Sequence, residues 1–137
     1  MFLYRALRPA EIKRGVLIPK RPRAPFVSSP MFPQVFPFAF GEHAEHAVRA
    51  QQWDGQYPTS GVSTTPRLKR AEYYAQRHRT IARIAVDRLA GCGVQMFRVS
   101  EYIHPSLIFK PEDDEVILVC PGVKYFPKDI IANVFKL

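Results

Sequence analysis

Cysteine is nearly missing from this chain. The two that occur, Cys92 and Cys120, stand in no Cys-x-x-Cys pair and no Cys/His cluster, which excludes a zinc-finger arrangement and a disulfide-dense scaffold. They read as two buried or incidental thiols. Long apolar runs are missing too: no stretch approaches the ~20 residues of a membrane-spanning helix, and Arg5 interrupts the start where a signal peptide would carry its apolar core. The expectation is a soluble protein with no signal peptide and no membrane insertion. It would act in a cytoplasm, either that of its own cell or that of a target cell after delivery by other machinery. Neither the phosphate-cradling Gly-x-x-x-x-Gly-Lys-Ser/Thr loop nor the Gly-x-Ser-x-Gly elbow of a serine hydrolase occurs. The four histidines, at 43, 46, 78 and 104, bring only His43 and His46 close in sequence, with no third ligand nearby, so no metal is expected. Acidic residues are scarce, 12 Asp and Glu against 20 Lys and Arg, and the resulting formal charge of +8 draws anions. Nucleic acid, acidic protein surfaces and anionic cofactors all qualify, and charge alone does not choose among them. The basic residues gather at 5–23, 67–88 and 110–128, without the aromatic interleaving of an RNA-binding signature.

What is present is enough apolar material for one core. With 137 residues, 47% of them hydrophobic, and ten Phe and six Tyr, the chain is expected to form one domain over 1–137 that needs neither disulfide nor metal. Residues 2–7 alternate as a strand does, and Pro9 ends the run before a segment that can form one helical turn. From Pro19 to Phe40 six prolines and five phenylalanines prevent a regular helix and predict a long loop whose aromatics pack back on the body. Good helix formers at 41–53 predict a helix, broken by Asp54, Gly55 and Pro58. A β-branched strand, Gly61 to Thr65, follows. Residues 67–78 then place Leu68, Ala71, Tyr74 and Ala75 at helical spacing beneath a basic outer face. That spacing assigns Tyr73 and Tyr74 to core and helix surface. Four β-rich runs close the chain, at 81–87, 94–99, 116–120 and 130–135, and helices followed by consecutive short strands predict an α+β fold.

Three separated elements carry chemistry-bearing residues: Tyr4-Arg5 on the first strand, Ser63-Thr64-Thr65 at a strand end, and Glu115 just before the apolar strand VILVC. In this order they resemble the Arg/Ser-Thr-Ser/Glu class of mono-ADP-ribosyltransferase toxins, which includes the cholera-like and heat-labile enterotoxin catalytic subunits. The opening FLYRALRPAEIKRGVLIPK is similar to that family's Tyr-Arg start, Pro, EIK-like turn and Gly-Leu-Pro-like exit. His46-Ala47-Val48-Arg49 resembles its His-Ala-Arg helix, residues 57–65 its Ser-Thr-Ser strand, and EVILVCPGVKY its closing strand pair. Most of the chain is covered, although the Pro/Phe segment has no counterpart. Thr65 replaces a family Ser, which keeps a hydroxyl. Two residues before Glu115 stands Asp113, where arginine-modifying members usually carry Glu and several others Gln.

Chemistry makes these residue types intelligible. Breaking the bond between nicotinamide and ribose develops positive charge at the anomeric carbon, so a fixed carboxylate, Glu115, favours the transition state. Arg5, planar and permanently charged, suits a pyrophosphate. Ser63 would hold Glu115 in place, with Thr64 and Thr65 supporting the strand end. Asp113 would face the acceptor and orient or deprotonate its nucleophile. The resemblance further implies an ADP-ribosyltransferase-like fold, with two short antiparallel sheets around an NAD-binding cleft and flanking helices. It implies NAD⁺ as substrate, a ribose-hydroxyl contact from Glu115, and Tyr4 and His46 lining the cofactor pocket. Tyr102 and Phe109, in the loop before Glu115, are candidates for contact with a target. The expected acceptor is a protein side chain first and nucleic acid, RNA or DNA, second. NAD⁺ glycohydrolase activity is a further alternative, and an inactive NAD-fold interaction module is the non-enzymatic one. A neutralising immunity or antitoxin protein is the partner that the resemblance implies.

Overall fold

A strand with one apolar face must find a neighbour to bury it, and the runs identified above do so over long sequence distances. In the computed structural model, which describes residues 1–19, 61–104, 106, 108 and 110–137, they form two antiparallel sheets of three strands. The first sheet sets β3 (Thr80–Ala85) between β1 (Phe2–Ala6) and β6 (Ile131–Lys136). The second sets β5 (Val116–Val119) between β2 (Val62–Thr64) and β4 (Gln95–Arg98). With the short helices α1 (Pro9–Arg14) and α2 (Leu68–Tyr74), the architecture is α+β, as the element order predicts. The helix expected at 41–53 and the Pro/Phe segment beyond Pro19 lie outside the described residues.

Side-chain alternation builds the core. Leu3 pairs with Ile84, and both join Leu7 and Ala82 in a cluster that also takes Val62, Val116 and Leu118 from the second sheet. This cluster therefore lies between the sheets. The second face of β5 is buried as well, where Ile117 and Val119 pack with Phe97, Val99 and Ile103. A strand covered on both faces reads as an unbroken apolar run, which is why VILVC shows no alternation.

Local signals set the helix limits. Pro9 opens α1, where its missing N–H costs nothing, and Gly15 closes it in the left-handed region at φ 69°. The second helix is shorter than its pattern predicts. After Tyr74 the Ala75 amide is shared between the carbonyls of Ala71 and Glu72, and Arg79, at φ 53°, turns the chain into β3. Of the four residues placed at helical spacing, Ala71 and Ala75 face inward, packing on Ile81, while Leu68 and Tyr74 are exposed. Tyr73, expected in the core, is exposed too. Two alanines let the short helix sit close to the sheet, and the Tyr74 hydroxyl is drawn outward to a bond with Asp113.

Candidate active site

The site begins where the two sheets meet. The Tyr4 amide on β1 donates to the Thr65 carbonyl at 2.7 Å, and the Thr65 amide returns a bond to the Tyr4 carbonyl at 3.0 Å. Residues two apart on a strand point their main-chain groups the same way, so the Ser63 carbonyl faces the same seam. There it accepts a hydrogen bond from Arg5 Nη1 at 2.9 Å. A guanidinium thus replaces the next rung between the sheets.

Glu11 fixes that guanidinium. Its carboxylate is fully buried and accepts from Arg5 Nε at 3.0 Å, from Arg5 Nη2 at 3.1 Å, and from the amides of Arg8 and Ile18, each at 3.0 Å. Burial opposes ionisation of Glu11, but the Arg5 charge and these hydrogen bonds outweigh it and hold the carboxyl below its ordinary range. The Arg8 guanidinium adds a longer contact from Nε at 3.4 Å, so the buried charge is compensated on both oxygens.

Register brings Ser63 to Glu115. Ser63 pairs with Ile117 across β2 and β5, which leaves Glu115 diagonally opposite on the same face. The Ser63 hydroxyl donates to Glu115 Oε2 at 2.5 Å. The next two hydroxyls grip the same stretch: Thr64 donates to the Val116 carbonyl at 2.7 Å and Thr65 to the Asp113 carbonyl at 2.5 Å. Three consecutive hydroxyls therefore position the four residues from Asp113 to Val116.

The segment leading into Glu115 is a single 3₁₀ turn, Pro111–Asp113, flanked by Lys110 at φ 58° and Asp114 at φ 47°. Left-handed backbone is uncommon outside glycine, and its cost is met here by side-chain anchors. Asp114 takes a two-pronged contact from Arg98, at 3.2 and 2.8 Å. Asp113 accepts from Arg70 Nε at 2.6 Å and from the Tyr74 hydroxyl. Burial, followed by the Asp113 hydrogen bond and charge, pushes the Tyr74 phenol up to about 12, against the opposing pull of Arg70. The hydrogen bond to Asp113 is likewise the largest influence raising the Arg70 guanidinium above its ordinary value.

A scan against protein-family models finds no match, and a search of curated proteins finds none either.

Of the residues singled out in the sequence, Tyr4, Arg5, Ser63, Thr64, Thr65, Asp113 and Glu115 form one connected network. Tyr4 takes part through its main chain, while its side chain packs against the cluster of Ala71, Ala75 and Ile81. His46 and Phe109 lie outside the described residues. Tyr102 packs edge-on against Phe97 at 5.7 Å. Three participants escaped sequence reasoning: Glu11, Arg70 and Tyr74. Glu11 carried one signal, the only acidic residue within reach of Arg5 on the first helical turn. Among the described residues no group of three His, Cys, Asp or Glu could hold a metal ion, and no helix is long and apolar enough to cross a membrane.

Proposed function

We propose that this chain is a mono-ADP-ribosyltransferase, which cleaves NAD⁺, releases nicotinamide and passes ADP-ribose to a macromolecular acceptor. The observation that carries this reading is the unbroken set of contacts from Arg5 through Ser63 to Glu115, in which a clamped cation and an oriented carboxylate meet from three distant segments. The proposal includes the ADP-ribosyltransferase-like fold, with NAD⁺ bound in a cleft beside the seam between the sheets.

The residues suit that substrate. Arg5 spends its Nε–H, one Nη1–H and one Nη2–H on Glu11 and Ser63, which leaves two N–H groups that bond no described residue and could hold a pyrophosphate. Because Glu11 and the Ser63 carbonyl fix the guanidinium in advance, little ordering entropy is lost when phosphate binds. Glu115 supplies negative charge where the anomeric carbon becomes positive, and the Ser63 hydroxyl prevents the carboxylate from rotating away. The nicotinamide–ribose bond breaks with its electron pair leaving on nicotinamide. The acceptor nucleophile then bonds to the same carbon and gives up one proton. Water in place of the acceptor yields free ADP-ribose.

One observation favours hydrolysis as a second reading: Asp113 is already engaged by Arg70 and Tyr74, which weakens its hold on an incoming nucleophile. The test is nicotinamide release from NAD⁺ by the wild type and by Glu115→Ala, with and without cell lysate. Release that requires Glu115 and rises with lysate supports transfer. Release that requires Glu115 and ignores lysate supports hydrolysis. Absence of turnover in every arm rejects both and leaves an inactive interaction module.

A further inference from the structure

We propose that the acceptor is single-stranded nucleic acid, docked on the outer face of α2 against Tyr73 and Tyr74. This inference rests on the transferase reading and names the substrate class of the same site.

The outer face of α2 carries the aromatic interleaving that the sequence pattern conceals. Tyr73 and Tyr74 are 49% and 46% exposed, with ring centroids 5.2 Å apart and planes at 80°. Two cations lie over them: Arg70 is 4.7 Å from the Tyr73 centroid and 5.6 Å from that of Tyr74, and Lys110 Nζ is 5.9 and 5.6 Å from the same rings, while the carboxylates of Asp113 and Glu112, at 2.6 and 3.7 Å from Arg70, offset part of that charge. Lys69 precedes Tyr73 by four residues, which places the two on one helix face. Between Arg67 and Arg79 the basic residues are Arg67, Lys69, Arg70, Arg77 and Arg79, against Glu72 alone.

Exposed rings flanked by cations suit a single strand, whose bases stack on aromatics while its phosphates meet the positive charges. An acidic protein surface would use the charges and could pack on the rings, but only a single strand presents a phosphate for the cations at each step along which a base can stack. A duplex would hide its base faces. The location fits transfer as well: Tyr74 bonds Asp113, two residues before Glu115, so a strand lying on these rings would pass the carboxylate that stabilises the reacting carbon. A protein arginine fits less well, because it would have to displace Arg70 from Asp113. In the transfer, a base nitrogen or an oxygen of the strand bonds to the anomeric carbon as nicotinamide departs with the bonding pair. The acceptor proton passes to solvent, because both Asp113 oxygens are already engaged by Arg70 and Tyr74.

The experiment measures fluorescence anisotropy of labelled single-stranded RNA and DNA oligonucleotides with the full chain across a salt series, then their labelling from radiolabelled NAD⁺. Binding and labelling of a single strand are expected. Tyr73→Ala should weaken binding roughly tenfold, with an unchanged circular dichroism spectrum because the ring is exposed. Lys69→Ala should reduce the slope of log affinity against log salt by ~0.7. Arg88→Ala removes an equal charge at the far end of β3, where Arg88 bonds the Asp129 carbonyl, and should change neither binding nor labelling. Three results would overturn the acceptor assignment alone: a wild type that cleaves NAD⁺ but binds no single strand, equal binding by Tyr73→Ala, or lysate label that protease removes and nuclease does not. Tight binding without any NAD⁺ cleavage overturns the transferase reading, and the acceptor role with it.

Discussion

Glu11 does for Arg5 what Ser63 does for Glu115: each holds a charged group in one orientation before any ligand arrives. Their removal should nevertheless look different. Ser63→Ala removes the hydroxyl that bonds the Glu115 carboxylate and so loosens its orientation, and nicotinamide release should fall roughly tenfold to a hundredfold, while denaturant stability changes little. Glu115→Gln removes the charge itself and should cost at least about a hundredfold. Combining the two should add less than the sum of the single effects, because the hydroxyl bonds the carboxylate that Glu115→Gln changes. Glu11→Ala should instead destabilise the fold by ~3–5 kcal/mol, measured by urea unfolding, because it strands the Arg5 charge against the core. Tyr74 offers a spectroscopic check on its bond to Asp113. Its phenolate absorbance should appear near pH 12 rather than near the ordinary 10, and Asp113→Asn should bring it down.

Among the elements, β5 and the residues leading into it hold the site together, because Ser63 and Thr64 of β2 and Thr65 just beyond it reach them with three hydroxyls. Thr64→Val keeps the shape and removes the bond to the Val116 carbonyl. It should lower stability by about 1 kcal/mol, readable as a drop in the urea midpoint, without changing the pH profile of turnover. The strands were legible in the sequence because β-branched and apolar runs between Gly, Pro and charged turns leave few alternatives. The pairing of Ser63 with Glu115 was legible as chemistry before it was visible as geometry. What stayed hidden depends on register and on the third dimension. Nothing local announces that the Ser63 carbonyl and the Arg5 guanidinium share a seam, and the nearness of Glu11 to Arg5 in sequence does not say that its carboxylate is buried against the guanidinium. The end of α2 was hidden for a related reason: apolar spacing continues to Ala75, but the left-handed turn at Arg79 decides where the helix must stop.

For the whole molecule, the signs of the shifted groups set a pH window. Glu11 titrates lower when folded, so its contribution is fully present above the ordinary carboxylate value of 4.5 and is lost as pH falls through the depressed one. Tyr74 titrates higher when folded, so its contribution is present below pH 10 and is lost as pH rises through about 12. A thermal-unfolding series should therefore show a plateau between these limits, and Glu11→Gln should flatten the acid side. The strand pairings also join distant parts of the chain: β1 binds β3 and β2 binds β5. Refolding is accordingly expected in the millisecond-to-second range rather than in microseconds, which stopped-flow fluorescence would show. The seam between Tyr4 and Thr65 links the six strands into one hydrogen-bonded path, β6-β3-β1-β2-β5-β4. During translation Glu115 and β5 follow β1 and β2 by some fifty residues or more, so until β5 has left the ribosome Arg5 and Ser63, made early, wait without their carboxylate. A nascent chain in that state cannot carry out the proposed chemistry on the NAD⁺ of the cell that is making it.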